Sequence, residues 1–342
     1  MFSLSTITKT RALCTRAIFS NNVLRASVIR PPVDNFRHYS TERKVSIDLI
    51  KQLRAETDAP LGHCKKALEE SDGDMTAAKD WLRKKGLQTA QSKSSRTAVE
   101  GVVGSLTSSD RKVGVLVEVN CETDFVTRND SFQTASAKVT KAILEHATRQ
   151  QDLQGEVDVE NIKTSVLVDG VPAGQVISEL AGIIRENIQL RKVAILRADK
   201  PNAVIAHYVH NAVRENAGSI ACLVQLSPTK QDMKPEECEK FGRSLAMHII
   251  GMNTKYLQTD QVPQQEVEYE RNLAQEKAAS EGKPVDNATK FAEKVVNKYY
   301  AQVVLMEQPW VLNNKKTVRQ VLQESNVQAD RFIKLKCGDK LV

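Results

Sequence analysis

The stretch 113–132 limits the possible folds of this chain most, because it joins a strand pattern to a helix pattern within a few residues. From Val113 onward, four valines alternate with other residues, which is typical of a β-strand with one strongly apolar face. A polar loop follows at 120–124, and one large aromatic residue, Phe125, comes directly after it. An apolar-periodic run that begins at Ser131 then predicts a helix. Such connections between rigid elements often carry functional side chains.

Asp124 and Phe125 are the two residues of this connection whose role the pattern leaves open. A loop phenylalanine commonly folds back onto its own core, and a loop aspartate commonly caps a helix or closes a turn. The alternative is that both side chains point outward and meet another molecule. The pattern alone allows both interpretations.

The same plan occurs a second time further along the chain. Residues 203–256 predict a strand, a polar turn, a second strand and a helix. The segments Leu116–Asn120 and Leu223–Ser227 align at an offset of 107 residues, and the helix residues Phe132 and Phe241 align at an offset of 109. We therefore predict an α+β fold with two related subdomains, each built on a small antiparallel sheet. The second copy has no Thr-Asp-Phe, so any loop chemistry belongs to the first copy.

Two helical runs with many charges lie within the second copy, at about 264–306. Gly282-Lys283-Pro284 separates them, and a break of this kind between amphipathic helices predicts an antiparallel helical hairpin. A last strand at Arg331–Cys337 is expected to complete the second sheet.

Residues 45–86 predict three short helices, which Ser46, Asp58 and Asp74 can cap. Residues 87–97 are polar and rich in serine and glutamine without a clear period, so we predict a linker there. Five basic residues and no acidic residue lie within 83–96. This run suits a solvated linker or a contact with RNA or with an acidic partner face.

The net charge of +7 is concentrated at the N-terminus. Residues 1–40 hold six basic residues and one acidic residue, and the remaining chain holds 43 basic and 41 acidic residues. A general polyanion-binding body is therefore not supported. The serine- and arginine-rich composition of residues 1–40 is typical of a mitochondrial transit peptide. The tetrapeptide Arg37–Ser40 is similar to a matrix-protease cleavage site, so we expect a mature chain from near Ser40 in the mitochondrial matrix.

The sequence shows no signature of an enzyme with its own covalent or metal chemistry. Its six cysteines form no CxxC pair and fit no zinc-site spacing, which is typical of scattered reduced thiols. Cys121, beside the polar loop, is either a reactive thiol or a buried structural one. His207 and His210 have no third ligand nearby in sequence, so we expect no metal site there. Phosphate-loop, dinucleotide-binding and nucleophile motifs are missing, and no apolar run reaches the ~18 residues of a membrane span.

Several segments resemble one family of translation factors. VEVNCETDFVTRNDSF closely resembles the hallmark segment of elongation factor Ts, the nucleotide exchange factor of elongation factor Tu. LIKQLRAETDAPLGHCKKALEESDGDMTAAKDWLRKKG resembles the ubiquitin-associated-like (UBA-like) N-terminal module of that family. This module departs from the bacterial pattern at Leu61-Gly62-His63, where a methionine-rich turn is common. RENIQLRKV, EQPW and KTV are further similarities, so the resemblance covers about 44–340.

Together, the composition, the periodicity and the resemblance predict five segments. These are a transit peptide at 1–40, a three-helix UBA-like module at 41–86, a linker at 87–97, a first α+β core subdomain at 98–198, and a second at 199–342 with the inserted coiled-coil hairpin at about 264–306.

The resemblance implies a guanine nucleotide exchange factor of mitochondrial translation, which binds mitochondrial elongation factor Tu in its GDP-bound and nucleotide-free states and promotes release of GDP from the GDP-bound state. It implies no cofactor and no metal ligand of its own, no membrane and no direct nucleic-acid partner. The positions that match the tetrad near the partner's Mg2+ site are Thr123, Asp124, Phe125 and Val126. Further positions that match partner contacts are Arg54, Lys65 and His210. The alternatives are a binding or chaperone protein for elongation factor Tu, and an RNA-binding factor that uses 83–96.

Overall fold

The computed structural model describes residues 45–57, 59–230, 233–280 and 285–339. The predicted transit peptide, the predicted cap Asp58 and the predicted break Gly282-Lys283-Pro284 lie outside these residues. Within them, helices and small antiparallel sheets alternate, which confirms the α+β fold class.

Three helices form the N-terminal module: α1 Ile47–Thr57, α2 Leu61–Glu70 and α3 Met75–Lys93. Their apolar faces share a core that includes Leu53, Cys64 and Leu68. Two of the predicted caps are confirmed, because the Ser46 hydroxyl accepts a hydrogen bond from the Asp48 amide and the Asp74 carboxylate accepts one from the Thr76 amide.

The first subdomain follows with the elements β1 Glu100–Thr107, β2 Val113–Cys121, α4 Asp124–Thr127, α5 Asp130–Arg149, β3 Gly155–Glu156, α6 Val159–Ser165, β4 Leu167–Val168, β5 Val171–Pro172, α7 Ala173–Ile184 and β6 Gln189–Arg197. As the alternation predicts, β1 and β2 form a hairpin, in which Glu100 pairs with Cys121 and Thr107 with Gly114. β6 pairs antiparallel with the other edge of β2. The four alternating valines of β2 are buried in a core with α5 and α7.

The predicted linker at 87–97 differs from the structure, because α3 continues to Lys93. Its second half packs on α7, where Gly86 lies against Gly182. A Cβ atom at position 182 would come within 2.4 Å of the Gly86 Cα, so this close approach requires glycine at position 182, whereas a Cβ at position 86 would lie at an ordinary 3.7 Å from the Gly182 Cα. Ala90 on the same helix packs against the core of the first subdomain. Tertiary packing thus keeps a serine- and glutamine-rich stretch helical although its local pattern is weak.

The second subdomain contains β7 Val204–His210, β8 Ala217–Gly218, β9 Ile220–Pro228, α8 Pro235–Gly251, α9 Gln264–Ser280, α10 Val285–Val303, β10 Pro309–Trp310, β11 Asn313–Thr317, α11 Val318–Glu324 and β12 Val327–Lys336, with 3-10 helices at Thr259–Gln261 and Leu305–Glu307. Its sheet has the order β12-β9-β7, so the last strand completes it as expected. α8 covers β7 and β9 as α5 covers β1 and β2. The short strand β8 crosses to the first sheet, whose order is β3-β6-β2-β1-β8.

The two sheets pack against each other through equivalent residues of the repeat. Leu116 of β2 and Leu223 of β9 align in sequence, and both are fully buried in the apolar layer between the sheets. Gly114 allows this approach, since a Cβ there would lie 2.8 Å from Leu223 Cδ2 and 2.9 Å from Ile205 Cγ2. The face-to-face packing fixes the two subdomains as one body.

The helices α9 and α10 form the predicted helical hairpin. Apolar residues at its base, among them Val267, Val296 and Val303, form a small separate core. Tyr256 and Tyr299 both donate hydrogen bonds to the Glu266 carboxylate at this base. None of the helices in the described part of the chain combines the length and the apolar character that crossing a bilayer requires.

Candidate partner-binding site

The connection between β2 and α5 presents a phenylalanine to solvent. After Cys121 the chain forms the single turn α4, and the Phe125 side chain on this turn is 81% exposed. No other large apolar side chain in the described ranges is as exposed. The Phe125 side chain therefore points outward and does not fold back onto the core of its own subdomain. A single exposed apolar residue is common on protein surfaces, so its neighbours decide what it means.

Asp124 precedes Phe125 on the same turn and is also exposed. Within the described residues, its carboxylate has no hydrogen bond or ion pair, and only its backbone carbonyl is engaged, by the Thr127 hydroxyl. It therefore does not cap its own turn. A carboxylate and an aromatic ring are thus presented side by side to solvent.

Val126 does not fit the predicted contact tetrad. It is only 7% exposed and belongs to the core of the first subdomain, so it anchors the turn and cannot offer its side chain to a partner. Thr123 is half-buried, and its hydroxyl donates a 2.7 Å hydrogen bond to Glu186 Oε1. The tetrad therefore divides into an outward pair, Asp124 and Phe125, and two flanking residues that hold the turn. A single helical turn places consecutive residues on different sides, which the linear motif does not reveal.

The turn is also fixed from its C-terminal side. Asn129 caps α5 by accepting hydrogen bonds from the Ser131 and Phe132 amides at 2.9 Å and 3.2 Å. Gln133 on the first turn of α5 donates a 3.0 Å hydrogen bond back to the Thr127 carbonyl. α5 thus supports the turn that carries Phe125.

The other predicted contact residues are exposed on separate elements. Arg54 lies in the last turn of α1, and Lys65 lies on α2, where it pairs with Glu69 at 3.5 Å between exposed groups. Such a surface pair contributes little to stability, so Lys65 can exchange it for a partner contact. No hydrogen bond or ion pair within the described residues joins either cation to the turn of Phe125.

His210 is exposed at the end of β7 and leads into the turn 211–216. Arg214 of this turn donates a 3.1 Å hydrogen bond to Thr134 Oγ1 on α5. The structure therefore brings the turn after His210 onto the helix that supports Phe125. This closeness depends on the crossing of β8 into the first sheet, and no local sequence pattern marks that crossing.

The groups near the turn offer little nucleophilic or metal chemistry. Burial raises the pKa of the Cys121 thiol to about 12, so the structural alternative is correct for this cysteine. His207 is half-buried whereas His210 is exposed, because residues three apart on a strand face opposite sides. No group of three or more histidine, cysteine or acidic side chains that could hold a metal ion lies within the described ranges.

Two residues of this site were not predicted from the sequence. They are Glu186 and Asn187, which lie on the connection between α7 and β6. Both make hydrogen bonds to the loop at 122–123. The only sequence signal for them is their presence in the segment RENIQLRKV, which resembles the family but carries no local pattern for this role.

Comparison with known proteins assigns the family. The family model for elongation factor TS matches residues 122–339. The elongation factor Ts of Bradyrhizobium sp. (strain ORS 278) is 37% identical over 292 residues, which cover 85% of this chain and 89% of that protein. For Methylorubrum extorquens (strain PA1) the identity is 39% over 292 residues, with 85% and 90% covered. For Zymomonas mobilis subsp. mobilis (strain ATCC 31821 / ZM4 / CP4) it is 36% over 293 residues, with 86% and 90% covered. The chain belongs to the elongation factor Ts family.

Proposed function

We propose that this chain is the guanine nucleotide exchange factor of mitochondrial translation elongation. It binds mitochondrial elongation factor Tu in its GDP form, promotes release of GDP and leaves a nucleotide-free complex to which GTP can bind. It catalyses no covalent reaction. The observation that carries the proposal is the outward pair Asp124 and Phe125 on a turn that the fold holds from both sides.

Exchange by such a factor is a matter of linkage. A factor that binds the nucleotide-free GTPase more tightly than the GDP form weakens GDP binding by the same ratio. Each tenfold of this ratio requires about 1.4 kcal/mol of differential contact. Burial of the Phe125 ring in a partner pocket contributes about 1.5–3 kcal/mol, which corresponds to roughly one to two powers of ten. The remaining coupling comes from the wider interface, in which Arg54, Lys65 and His210 dock the partner.

Asp124 acts on the magnesium site of the partner in this proposal. Mg2+ neutralises the phosphates of bound GDP and requires nearly ideal oxygen coordination with several waters. When Phe125 wedges between partner helices near the nucleotide, the Asp124 carboxylate disturbs the hydrogen bonds and waters around the ion. Loss of that neutralising charge loosens GDP.

The proposal places the protein in the mitochondrial matrix. Its support is the composition of residues 1–40, with six basic residues and one acidic residue, and the cleavage-like tetrapeptide Arg37–Ser40. Import of the full chain into isolated mitochondria, followed by N-terminal sequencing of the processed product, tests this. A product that starts near Ser40 supports the assignment, whereas a chain that stays unprocessed and outside the organelle contradicts it.

The function is tested by the rate of fluorescent GDP release from purified mitochondrial elongation factor Tu. Wild-type protein is compared with Phe125→Ala and Asp124→Ala, and Leu167→Ala serves as a control because Leu167 is also apolar and exposed in the same subdomain. We expect both site variants to be slower by tenfold or more and the control to be unchanged. Wild-type rates in both site variants contradict the mechanism. Stable binding without faster GDP release would support the binding-protein alternative.

The RNA-binding alternative loses support from the contacts of the basic run 83–96. Arg83 pairs with Glu179, Lys93 donates to the Arg185 carbonyl, and Arg96 lies 3.5 Å from Glu122. Three of its five basic residues are thus engaged within the fold. Phosphate contacts would give a steep dependence of affinity on salt concentration, which a filter-binding titration measures directly.

A further inference from the structure

Glu186 holds the loop that precedes the turn of Phe125. One carboxylate oxygen, Oε2, accepts hydrogen bonds from the Glu122 amide at 3.1 Å and from the Thr123 amide at 3.0 Å. The other oxygen accepts the Thr123 hydroxyl at 2.7 Å. A single side chain thus satisfies three donors at the point where β2 ends and α4 begins.

A second set of bonds runs in the opposite direction. Glu122 Oε1 accepts a 2.6 Å hydrogen bond from the Asn187 amide. The buried Asn187 side chain in turn donates to the backbone carbonyls of Ser94 and Arg96, just after the end of α3. The two acidic residues therefore form a reciprocal clasp between the loop 122–123 and the connection 186–187, and the clasp extends to the N-terminal module.

The turn α4 needs this external support. It has four residues, and helices of this length are not stable alone because nucleation is unfavourable. Thr123 occupies the N-cap position but makes no capping bond with its side chain, since its hydroxyl is used by Glu186. The orientation of Phe125 therefore depends on the clasp as well as on α5.

Glu186 is aimed at the loop by an unusual backbone conformation. Arg185 ends α7 with φ +66° and ψ +27°, in the left-handed region that glycine usually occupies at helix ends. Lys93 donates a hydrogen bond to the Arg185 carbonyl. The helix thus ends on a sharp reversal that directs Glu186 and Asn187 towards the loop.

We infer that Glu186 is a positioning residue for nucleotide exchange, which fixes the Asp124–Phe125 turn in its outward orientation before the partner arrives. This inference rests on the proposed exchange function. A loop that is already ordered spares the complex the entropy loss of ordering it on binding. Without the clasp, the partner must select the outward turn from a wider set of conformations, and exchange becomes less efficient.

The substitution Glu186→Gln is the most direct test, because it keeps the shape, removes the negative charge and replaces one of the two acceptor oxygens by an NH2 donor. Hydrogen bonds to charged groups are the stronger ones, so we expect about a tenfold loss in the efficiency of GDP release at limiting factor concentration. Glu145→Gln is the matched control, since Glu145 is exposed on α5 and pairs with the exposed Lys141 at 4.0 Å. The control is expected to behave as wild type.

Two further measurements separate positioning from general structural damage. Amide hydrogen exchange of a peptide covering 121–127 should be at least tenfold faster in Glu186→Gln, whereas peptides from α8 should be unchanged. When Glu186→Gln is added to a variant that already carries Asp124→Ala and Phe125→Ala, it should cause no further loss, because Glu186 acts through these two residues. If Glu186→Gln does not fold, Thr123→Val is the substitute, because it removes one of the three hydrogen bonds with little change of shape. It should show the same pattern, with about a threefold loss in the efficiency of GDP release.

The results of these measurements separate a failure of the positioning role of Glu186 from a failure of the proposed exchange function. A slow Phe125→Ala variant with a wild-type Glu186→Gln rate overturns the inference and leaves the exchange function intact. A further loss when Glu186→Gln is added to the variant with Asp124→Ala and Phe125→Ala also overturns it, because Glu186 then acts elsewhere. Wild-type rates in both single variants contradict the exchange mechanism and the inference with it. Slow single variants, with no further loss when Glu186→Gln is added to the variant with Asp124→Ala and Phe125→Ala, support the positioning role.

Discussion

The two subdomains share one plan but differ at the connection that follows the second strand of each hairpin. In the first, Phe125 stands 81% exposed on a turn fixed by Glu186 and by α5. In the second, the apolar residue of the connection, Met233, packs against the core of its own subdomain. Burial is the default for a large apolar side chain. The comparison shows that the repeat itself does not require an exposed ring, so the first copy departs from the plan where a partner contact is proposed.

Substitution of the aligned helix phenylalanines should show the largest effect and tests how far the two copies are equivalent. Phe132 is fully buried under the first sheet, whereas Phe241 is half-buried and stacks on Trp310 with ring centroids 6.1 Å apart. We expect Phe132→Ala to lower the free energy of unfolding by about 3–5 kcal/mol and Phe241→Ala by roughly 2 kcal/mol. Urea denaturation measures both. Equal losses of unfolding free energy would mean that Phe132 and Phe241 contribute equally to the packing of their subdomains.

The second prediction separates function from stability at the two connections. Phe125→Ala should slow GDP release by roughly 10- to 100-fold and change the free energy of unfolding by less than about 0.5 kcal/mol. Met233→Ala should do the reverse, with a stability loss of about 1 kcal/mol and unchanged exchange. Stopped-flow release and urea denaturation of the same preparations check both. A destabilised Phe125→Ala protein would contradict the outward placement.

Periodicity predicted most of the fold, whereas the candidate site was indicated only by the family resemblance. The strand β2, the helix α5 and the repeat in the second subdomain follow from local alternation and spacing, which the sequence displays directly. The extension of α3 to Lys93 depends on the contact of Gly86 with Gly182, nearly a hundred residues away. Contacts of that kind leave no local pattern in one sequence.

The same limit applies to the site. The family motif indicates the tetrad as a block, yet one turn of helix directs Phe125 outward and Val126 into the core. The clasp of Glu186 joins residues 63 positions apart through two backbone amides and one hydroxyl. Backbone donors are identical at every non-proline position, so nothing in the sequence marks these amides as the ones that are bound.

Gly114→Ala tests the layer in which the two sheets meet. The added methyl would overlap Leu223 Cδ2 and Ile205 Cγ2, both of which are side-chain ends confined in a buried layer. We expect a loss of about 1–2 kcal/mol in the free energy of unfolding, because the side chains must move or the sheets must separate. Gly251→Ala, at the end of α8, is the matched control and should show no loss, because no side chain of the described residues lies within 4 Å of the added Cβ beyond its chain neighbours. An equally stable Gly114→Ala protein would mean that the layer relaxes freely.

The smallest effect concerns acid sensitivity, which should lie mainly in the second subdomain. His248 is fully buried there, and burial lowers its pKa below the ordinary value of 6.5. Its Nδ1 accepts the Val311 amide at 3.2 Å and its Nε2 lies 3.0 Å from Gln308 Oε1, so the neutral Nε2–H tautomer fits both partners. The half-buried His207 also has a pKa lowered by the burial of its ring.

The direction of this pH dependence of stability follows from the number of protons that the folded and unfolded chains bind. Below about pH 6.5 the unfolded chain binds a proton at each of these histidines and the folded chain does not, so stability falls as the pH decreases towards the folded-state pKa. Each such group contributes at most about 1.4 kcal/mol per pH unit over that window. We expect His248→Gln to have a shallower dependence of the free energy of unfolding on pH between about 6.5 and 5, with His146→Gln on α5 as the comparison variant from the first subdomain. Urea titrations at several pH values measure the slopes. A histidine that stays neutral in the folded state must contribute to the pH dependence of stability. If the free energy of unfolding of His248→Gln depends on pH as steeply as that of the wild type, the acid sensitivity arises from other residues.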